Sequence, residues 1–256
     1  MSESAIRAPR LDVLGVRIVA IDENEALRLV EDVLAAGFSR PCQVFFVNAH
    51  TLKLASEDSH YRSVLEAADC VFGDGTGVRW AVRHLYGAEL ANVNGTDLVP
   101  KLLGSPAVSG RRYFLLGATG EAIPNAAEEV RRRFPAWQLA GYHHGYVPVE
   151  GCDDVVARIN ASGAELLLVG MGNPKQEIWI HENARRLEVK VCMGVGGLFD
   201  YWAGNLDRAP VWIRRAGIEW LHLMLRQPHK TARYLIGGPL FMLRVARDRR
   251  RGAHSR

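Results

Sequence analysis

The stretch ELLLVGMGNPKQEIWI, residues 165–180, decides the fold. It runs from the apolar residues Leu166 to Val169 through the turn GMGNP at 170–174 into a helical pattern over 174–187. A short continuous apolar run followed at once by a glycine turn reads as a strand buried on both faces. Pro174 suits a first helical turn and Asn173 a helix cap. The same grammar recurs along the chain. A strand at 112–116 leads through GATG into a helix at 121–133, and a strand at 137–142 leads to a helix at 152–161. A strand at 191–195 leads through glycines to a short helix near 198–203. Towards the N-terminus, 11–20 reads as a short strand or hairpin. Residues 23–36 read as a helix, with Ala26, Leu27, Leu29, Val30, Val33 and Leu34 at helical spacing. CQVFFV at 42–47 is a buried strand that ends at Asn48, a turn or cap residue. Two short helices follow over 50–67, then a strand at 70–72, GDGTG at 73–77, and helices over 78–86 and 96–103.

Strand, glycine turn and helix in repetition predict an α/β fold: a Rossmann-like, mostly parallel sheet with helices on both faces. Right-handed crossovers gather the strand-to-helix turns at one edge, where open α/β sheets bind ligands. We assign residues 1–206 to this core and 207–256 to a basic helical appendage, read as two helices broken near Pro228 and at Gly237–Pro239.

The chain has 256 residues, 48% of them hydrophobic, enough for one substantial core. Cys42, Cys70, Cys152 and Cys192 are far apart and form no C-x-x-C pair, so they read as reduced core thiols. Residues 1–10 hold no signal-peptide core, and no run approaches the ~18 apolar residues of a membrane span. A cytoplasmic protein is expected. Residues 1–206 hold 20 Lys and Arg against 25 Asp and Glu, net −5; residues 207–256 hold 12 against 3, net +9. An acidic body with a basic tail calls for a polyanionic partner at the tail. Trp202, Trp212 and Trp220, followed by Leu221, Leu223 and Met224, suit a helix lying on an anionic membrane surface; core-packed helices with a solvated basic face are the alternative. With no nucleic-acid module, no nucleic acid partner is expected.

Turns at 73–77, 117–120, 170–174 and 194–197 contain the candidate binding residues Gly75, Gly117, Gly170, Gly172, Gly196 and Gly197. Glycine there lets backbone N–H groups approach a ligand, and helix N-termini favour negative charge, so a phosphate-bearing ligand follows. Tight turns demanded by packing are the alternative. No G-x-G-x-x-G with its acidic partner and no G-K-[ST] loop is present, which disfavours a dehydrogenase and a P-loop enzyme. Asp74, between two glycines, is either a solvated turn carboxylate or a general base. Lys175 and Gln176 would project from a helix start, Lys toward phosphate and Gln toward a base or sugar edge. His143 and His144 read as rim or structural residues, since neighbours on an extended strand face opposite ways. No cofactor and no metal site is expected; no D-x-D occurs.

The motifs VNAHTLKLA (47–55), ADCVFGDGTGV (68–78), NGTDLVP (94–100), YFLLGATGEA (113–122), GYHHGY (141–146) and INASGAELLLVGMGNPKQEIWI (159–180) stand in this order, followed by GVGGLFDYWAGNLDRAPVWIRRAGIEWLHLMLRQP (194–228). Together they resemble the WecG/TagA/CpsF family of bacterial glycosyltransferases, glycosyltransferase family 26, over residues 40–235. The resemblance implies an inverting, metal-independent enzyme with a UDP-sugar donor and a polyprenyl-diphosphate-linked sugar acceptor, working in exopolysaccharide, teichoic acid or surface antigen synthesis at the inner face of the plasma membrane. It makes Asp74 the catalytic base. It makes Asn48, opening N-x-x-T with Thr51, and Asp97, from G-x-D, substrate-binding residues, and puts Gln176 near the nucleotide. Lys230 and Arg233 would close from the tail over the diphosphate. A tail used as a lid could be shared within a homo-oligomer. The chain departs from the family at Asn92 and Leu223, where arginine is frequent, and at Gln227 in place of glutamate. These departures point to remade anionic contacts and a different donor or acceptor sugar. A non-catalytic nucleotide-binding scaffold of a polysaccharide assembly complex is the rival reading.

Overall fold

The computed structural model describes residues 8–36, 40–210, 213 and 237–253. Strands β1 (Arg10–Val13) and β2 (Val16–Val19) form an antiparallel hairpin. Its turn residues Leu14 and Gly15 both have positive φ, 56° and 86°, as a two-residue hairpin matched to strand twist requires. Helix α1 (Glu23–Ala36) starts from a reciprocal cap in which the side chains of Asp22 and Glu25 each accept from the other's backbone N–H at 2.8 Å. There follow β3 (Cys42–Val47), α2 (Ala49–Glu57), α3 (Ser59–Ala67), β4 (Cys70–Gly73), α4 (Thr76–Tyr86), α5 (Gly95–Gly104) and β5 (Arg112–Gly117). Then come α6 (Ala122–Arg133), β6 (Gln138–His143), α7 (Asp153–Ala161), β7 (Leu166–Gly170), α8 (Lys175–Asn183), β8 (Val191–Gly194), α9 (Leu198–Trp202) and, in the tail, α10 (Gly237–Ala253).

Among the described residues, six strands form one sheet in the order β4-β3-β8-β7-β5-β6, every pair parallel. The apolar runs are continuous because both faces are covered. Val44, Phe46, Tyr113, Leu115, Leu166, Leu168 and Met193 join one buried cluster with α1, α5, α6 and α9. Their alternating neighbours Phe45, Val47, Phe114, Leu116, Leu167, Val169 and Cys192 join the other, with α2, α3, α4, α7, α8 and α10. All four cysteines are buried free thiols.

One core helix, α8, ends earlier than the sequence pattern, and another, α5, carries an internal proline. The α8 pattern runs to 187, yet the helix stops at Asn183, whose side chain donates back to Trp179 O at 2.9 Å while its carbonyl accepts from Arg186 N at 2.9 Å in a tightened turn. In α5, Pro100 sits inside the helix and cannot donate to the carbonyl four residues earlier, that of Thr96. Arg208 Nη1 donates to Thr96 O instead, at 3.2 Å. In the tail, the expected break at Gly237–Pro239 is the start of α10, with Pro239 in the first turn where its missing N–H costs nothing. Phe241 and Val245 of α10 are buried on the core, and Arg244 bonds Ser56 and Glu57 of α2.

From β5 the chain passes outward to β6, and from β7 the other way to β8. The neighbours β5 and β7 are therefore a topological switch point, whose carboxyl ends open a crevice. Their glycines meet backbone to backbone: a Cβ on Gly117 would lie 2.4 Å from Gly170 O. Gly117→Ala should therefore destabilise the protein by about 2 kcal/mol or more in urea unfolding. Gly104→Ala, at the end of α5 with open space around it, should change stability by less than about 1 kcal/mol.

Candidate active site

Because the sheet is parallel, the carboxyl ends of β4, β3, β8, β7 and β5 line up along one edge in that order. The turns 73–77, 117–120, 170–174 and 194–197 follow four of these strands, and Asn48 follows the fifth.

Asn48 caps α2: its Oδ1 accepts from His50 N at 3.0 Å, Thr51 N at 3.1 Å and Thr51 Oγ1 at 3.2 Å. Thr51 is fully buried and supports the cap. Beside it, Asp74 N–H donates to Val47 O at 2.8 Å, so the Asp74 turn is fastened to the end of β3. On its other side the turn is clasped by the segment leading to α5: Val93 N donates to Gly73 O at 3.0 Å and Gly75 N to Asn92 Oδ1 at 2.5 Å. Gly75 sits at φ 87°, a conformation that side chains rarely adopt. Asn92 thus has a definite task, one that an arginine, which has no acceptor atom, cannot perform.

The turns after β5, β7 and β8 are knitted together. Ala118, at φ 57° an unusual conformation for a residue with a Cβ, donates to Gly170 O at 3.0 Å and accepts from Gly145 N at 2.9 Å. Lys175 Nζ donates to Gly145 O at 3.1 Å, with its remaining donors at the edge. Gln176 does not project as the sequence led us to expect. It is 1% exposed and turned inward, on the face of α8 that also buries Glu177, Trp179, Ile180 and Asn183, while Lys175, His181 and Glu182 keep the other side toward solvent. Its Oε1 accepts from Gly172 N at 3.2 Å and Gly196 N at 3.0 Å, tying the β7 turn to the β8 turn. Gly172 and Gly196, at φ 80° and 56°, make the turns that bring those amides inward. Gly197 follows at the head of α9.

Asp97 lies in the first turn of α5. It takes part in the Asn94 cap and pairs with Arg208 Nη1 at 2.7 Å. It borders a hollow of about 460 Å³ that also involves Lys101, Arg133, Tyr201 and Trp202, on the α5–α9 flank. The rings of His143 and His144 stand 4.2 Å apart at the end of β6, next to exposed Tyr146. Lys230, Arg233, Leu223 and Gln227 lie outside the described residues. No cluster of metal-ligating side chains occurs among the described residues.

Glu177 carries no signal of its own in the sequence. It is fully buried beneath the knitted turns, where it accepts from Gln176 Nε2 at 2.8 Å, Tyr61 OH at 3.2 Å and Asn173 Nδ2. Burial pushes its carboxyl up from an ordinary value near 4.5 to about 7, against the pull of those donors. The native state then holds a proton that the unfolded chain has lost between those two values, so folding stability falls as pH rises across that window. Glu177→Gln should flatten this fall. Its stability relative to wild type should improve from pH 4.5 to pH 8, by on the order of a few kcal/mol, in urea titrations at a series of pH values.

A family model described as the glycosyl transferase WecG/TagA/CpsF family matches residues 11–255. An N-acetylglucosaminyldiphosphoundecaprenol N-acetyl-beta-D-mannosaminyltransferase of Staphylococcus aureus strain MW2 is 31% identical over 252 residues, 97% of each chain. Its namesake in strain MRSA252 is 32% identical over the same share of each chain. A match across nearly the whole length, on a parallel α/β core whose glycine turns and Asp74 share one edge, leaves one conclusion: this chain belongs to the WecG/TagA/CpsF family and is a glycosyltransferase.

Proposed function

We propose that the enzyme transfers a sugar from a UDP-sugar to a saccharide on polyprenyl diphosphate, with inversion, and that Asp74 is the base. The observation that carries this reading is the placement of Asp74. It stands on a clasped turn at the end of β4, two strand spacings, about 10 Å, from the β8 turn and one more from the β7 turn. That interval separates a proton acceptor from a diphosphate site by the room a sugar needs. The relatives named above act on an N-acetylglucosaminyl-diphosphoundecaprenol, which supports the lipid acceptor and makes an N-acetylhexosamine the first donor to try.

In this mechanism the acceptor hydroxyl gives its proton to the Asp74 carboxylate as its oxygen attacks the anomeric carbon. The bond from that carbon to the diphosphate oxygen breaks, and UDP leaves with the electron pair. The N-terminus of α8, Lys175 at the edge, and Lys230 and Arg233 from the tail offset the developing charge. Asn48 and Thr51 hold the wall between Asp74 and the turns. Asp97 acts from the α5 flank through its pair with Arg208.

The acceptor's lipid places the work at a membrane surface. No helix among the described residues is long and apolar enough to cross a bilayer. Helix α10 exposes Leu240, Met242 and Leu243, at 41%, 44% and 47%, alongside Arg247 and Arg249, a composition suited to an anionic interface.

Acceptor-dependent UDP release should occur with at least one UDP-sugar and a short-chain polyprenyl-diphosphate N-acetylglucosamine. Asp74→Asn should lower it by about 100-fold or more with UDP binding retained. Unchanged turnover in Asp74→Asn would remove the base assignment. Leu240→Glu combined with Leu243→Glu should weaken co-sedimentation with phosphatidylglycerol vesicles about ten-fold, without loss of fold by circular dichroism.

A further inference from the structure

Glu177 is buried and ionisable, and the transfer mechanism makes no use of it. A carboxyl group in that position costs stability unless hydrogen-bonded. An apolar side chain of similar volume would pack α8 against α3 at least as well. What an apolar residue cannot do is orient its neighbour.

Gly172 and Gly196 both present N–H donors to the side chain of Gln176, so Gln176 must turn its oxygen toward them. Its amide nitrogen then needs an acceptor on the opposite side, and Glu177 Oε1 is there at 2.8 Å. The same oxygen accepts from Asn173 Nδ2, in the β7 turn itself. The other oxygen takes the hydroxyl of Tyr61, 116 residues away on α3, which anchors the carboxyl to the body of the protein. The carboxamide lies against Gly194, where a Cβ would stand 3.0 Å from Gln176 Nε2, so the side chain uses the room that glycine leaves.

We propose that Glu177 is a positioning residue for the donor. By accepting from Gln176 and Asn173 it holds the Gln176 carboxamide with its oxygen toward Gly172 and Gly196, and so sets the separation of the two turns that receive the nucleoside diphosphate. This rests on the donor reading above, but the tie between the turns is measurable without any ligand.

The test compares Glu177→Leu, Glu177→Gln and, as a packing control on the same helix, Ile180→Val. Amide hydrogen exchange at Gly172 and Gly196 is read in the UDP-free protein, UDP affinity by calorimetry, and KM against kcat with the active donor. In Glu177→Leu both amides should exchange about ten-fold faster, UDP should bind about ten-fold more weakly, and donor KM should rise more than kcat falls. Glu177→Gln keeps an acceptor oxygen and should lose about three-fold; it carries the test alone if the leucine variant does not fold. Ile180→Val should lower stability while both amides and UDP affinity stay at wild-type values. Wild-type protection of both amides in Glu177→Leu would overturn the proposal, as would an equal loss of UDP affinity in Ile180→Val. Failure of wild-type protein to bind UDP would overturn the donor reading and the consequence drawn for the diphosphate, while the exchange rates would still decide the tie.

Discussion

Where β5 and β7 end, the backbones of Gly117 and Gly170 come so close that a single methyl group has no room between them. That contact keeps the two strands paired up to their last residue, at the point where the chain departs in opposite directions. Ala118 can then donate to Gly170, Gly145 can reach Ala118, and Lys175 can reach Gly145. The turns after β5, β6 and β7 become one surface. A second close approach extends it: a Cβ on Gly170 would strike Phe199 and the carbonyl of Gly196, so the β8 turn rests directly on the β7 turn.

Two polar side chains complete what the backbone alone leaves undone. Gln176 collects the amides of Gly172 and Gly196, and Arg208 supplies the donor that Pro100 withholds from Thr96. Each such bond is worth only about 1 kcal/mol net, but an unpaired buried amide or carbonyl would cost more. Gln176 acts over 4 and 20 positions of chain, Arg208 over 112. Arg208 also pairs with Asp97, which fixes where the chain leaves the core for the tail to the helix whose first turn flanks the site.

The alternation of apolar strands, glycine turns and helices made the sheet legible, because a parallel strand must be apolar on both faces and its turn must be tight. The order of helices and the gathering of Asp74 with the glycine turns at one edge followed from that grammar and from right-handed crossovers; at 11–20 the sequence leaves a single strand and a hairpin both open, and the structure has the hairpin. Gln176 and Glu177 were not legible in the same way. Polar residues at a helix start look like surface, and the signal against that was their helical register: Gln176 stands one turn before Ile180 and its neighbour Trp179, on the face that packs into the core. The Tyr61 hydroxyl that completes the cluster comes from another helix, and no local pattern announces it. Asn92 stood out only as a departure from the family; its role as the acceptor for Gly75 emerged once the segment leading to α5 lay against the Asp74 turn.

The floor of this site is made of backbone and of side chains turned away from solvent. Gln176 holds the glycine amides of that floor in place, and Glu177 holds Gln176. The rim is different: Tyr146 is 71% exposed on a loop, while Asn92, also at the rim, is engaged in holding the Gly75 amide. Such a division gives the two ends of the rim different weight: a change at Tyr146 leaves the platform intact, whereas a change at Asn92 loosens the turn that carries Asp74.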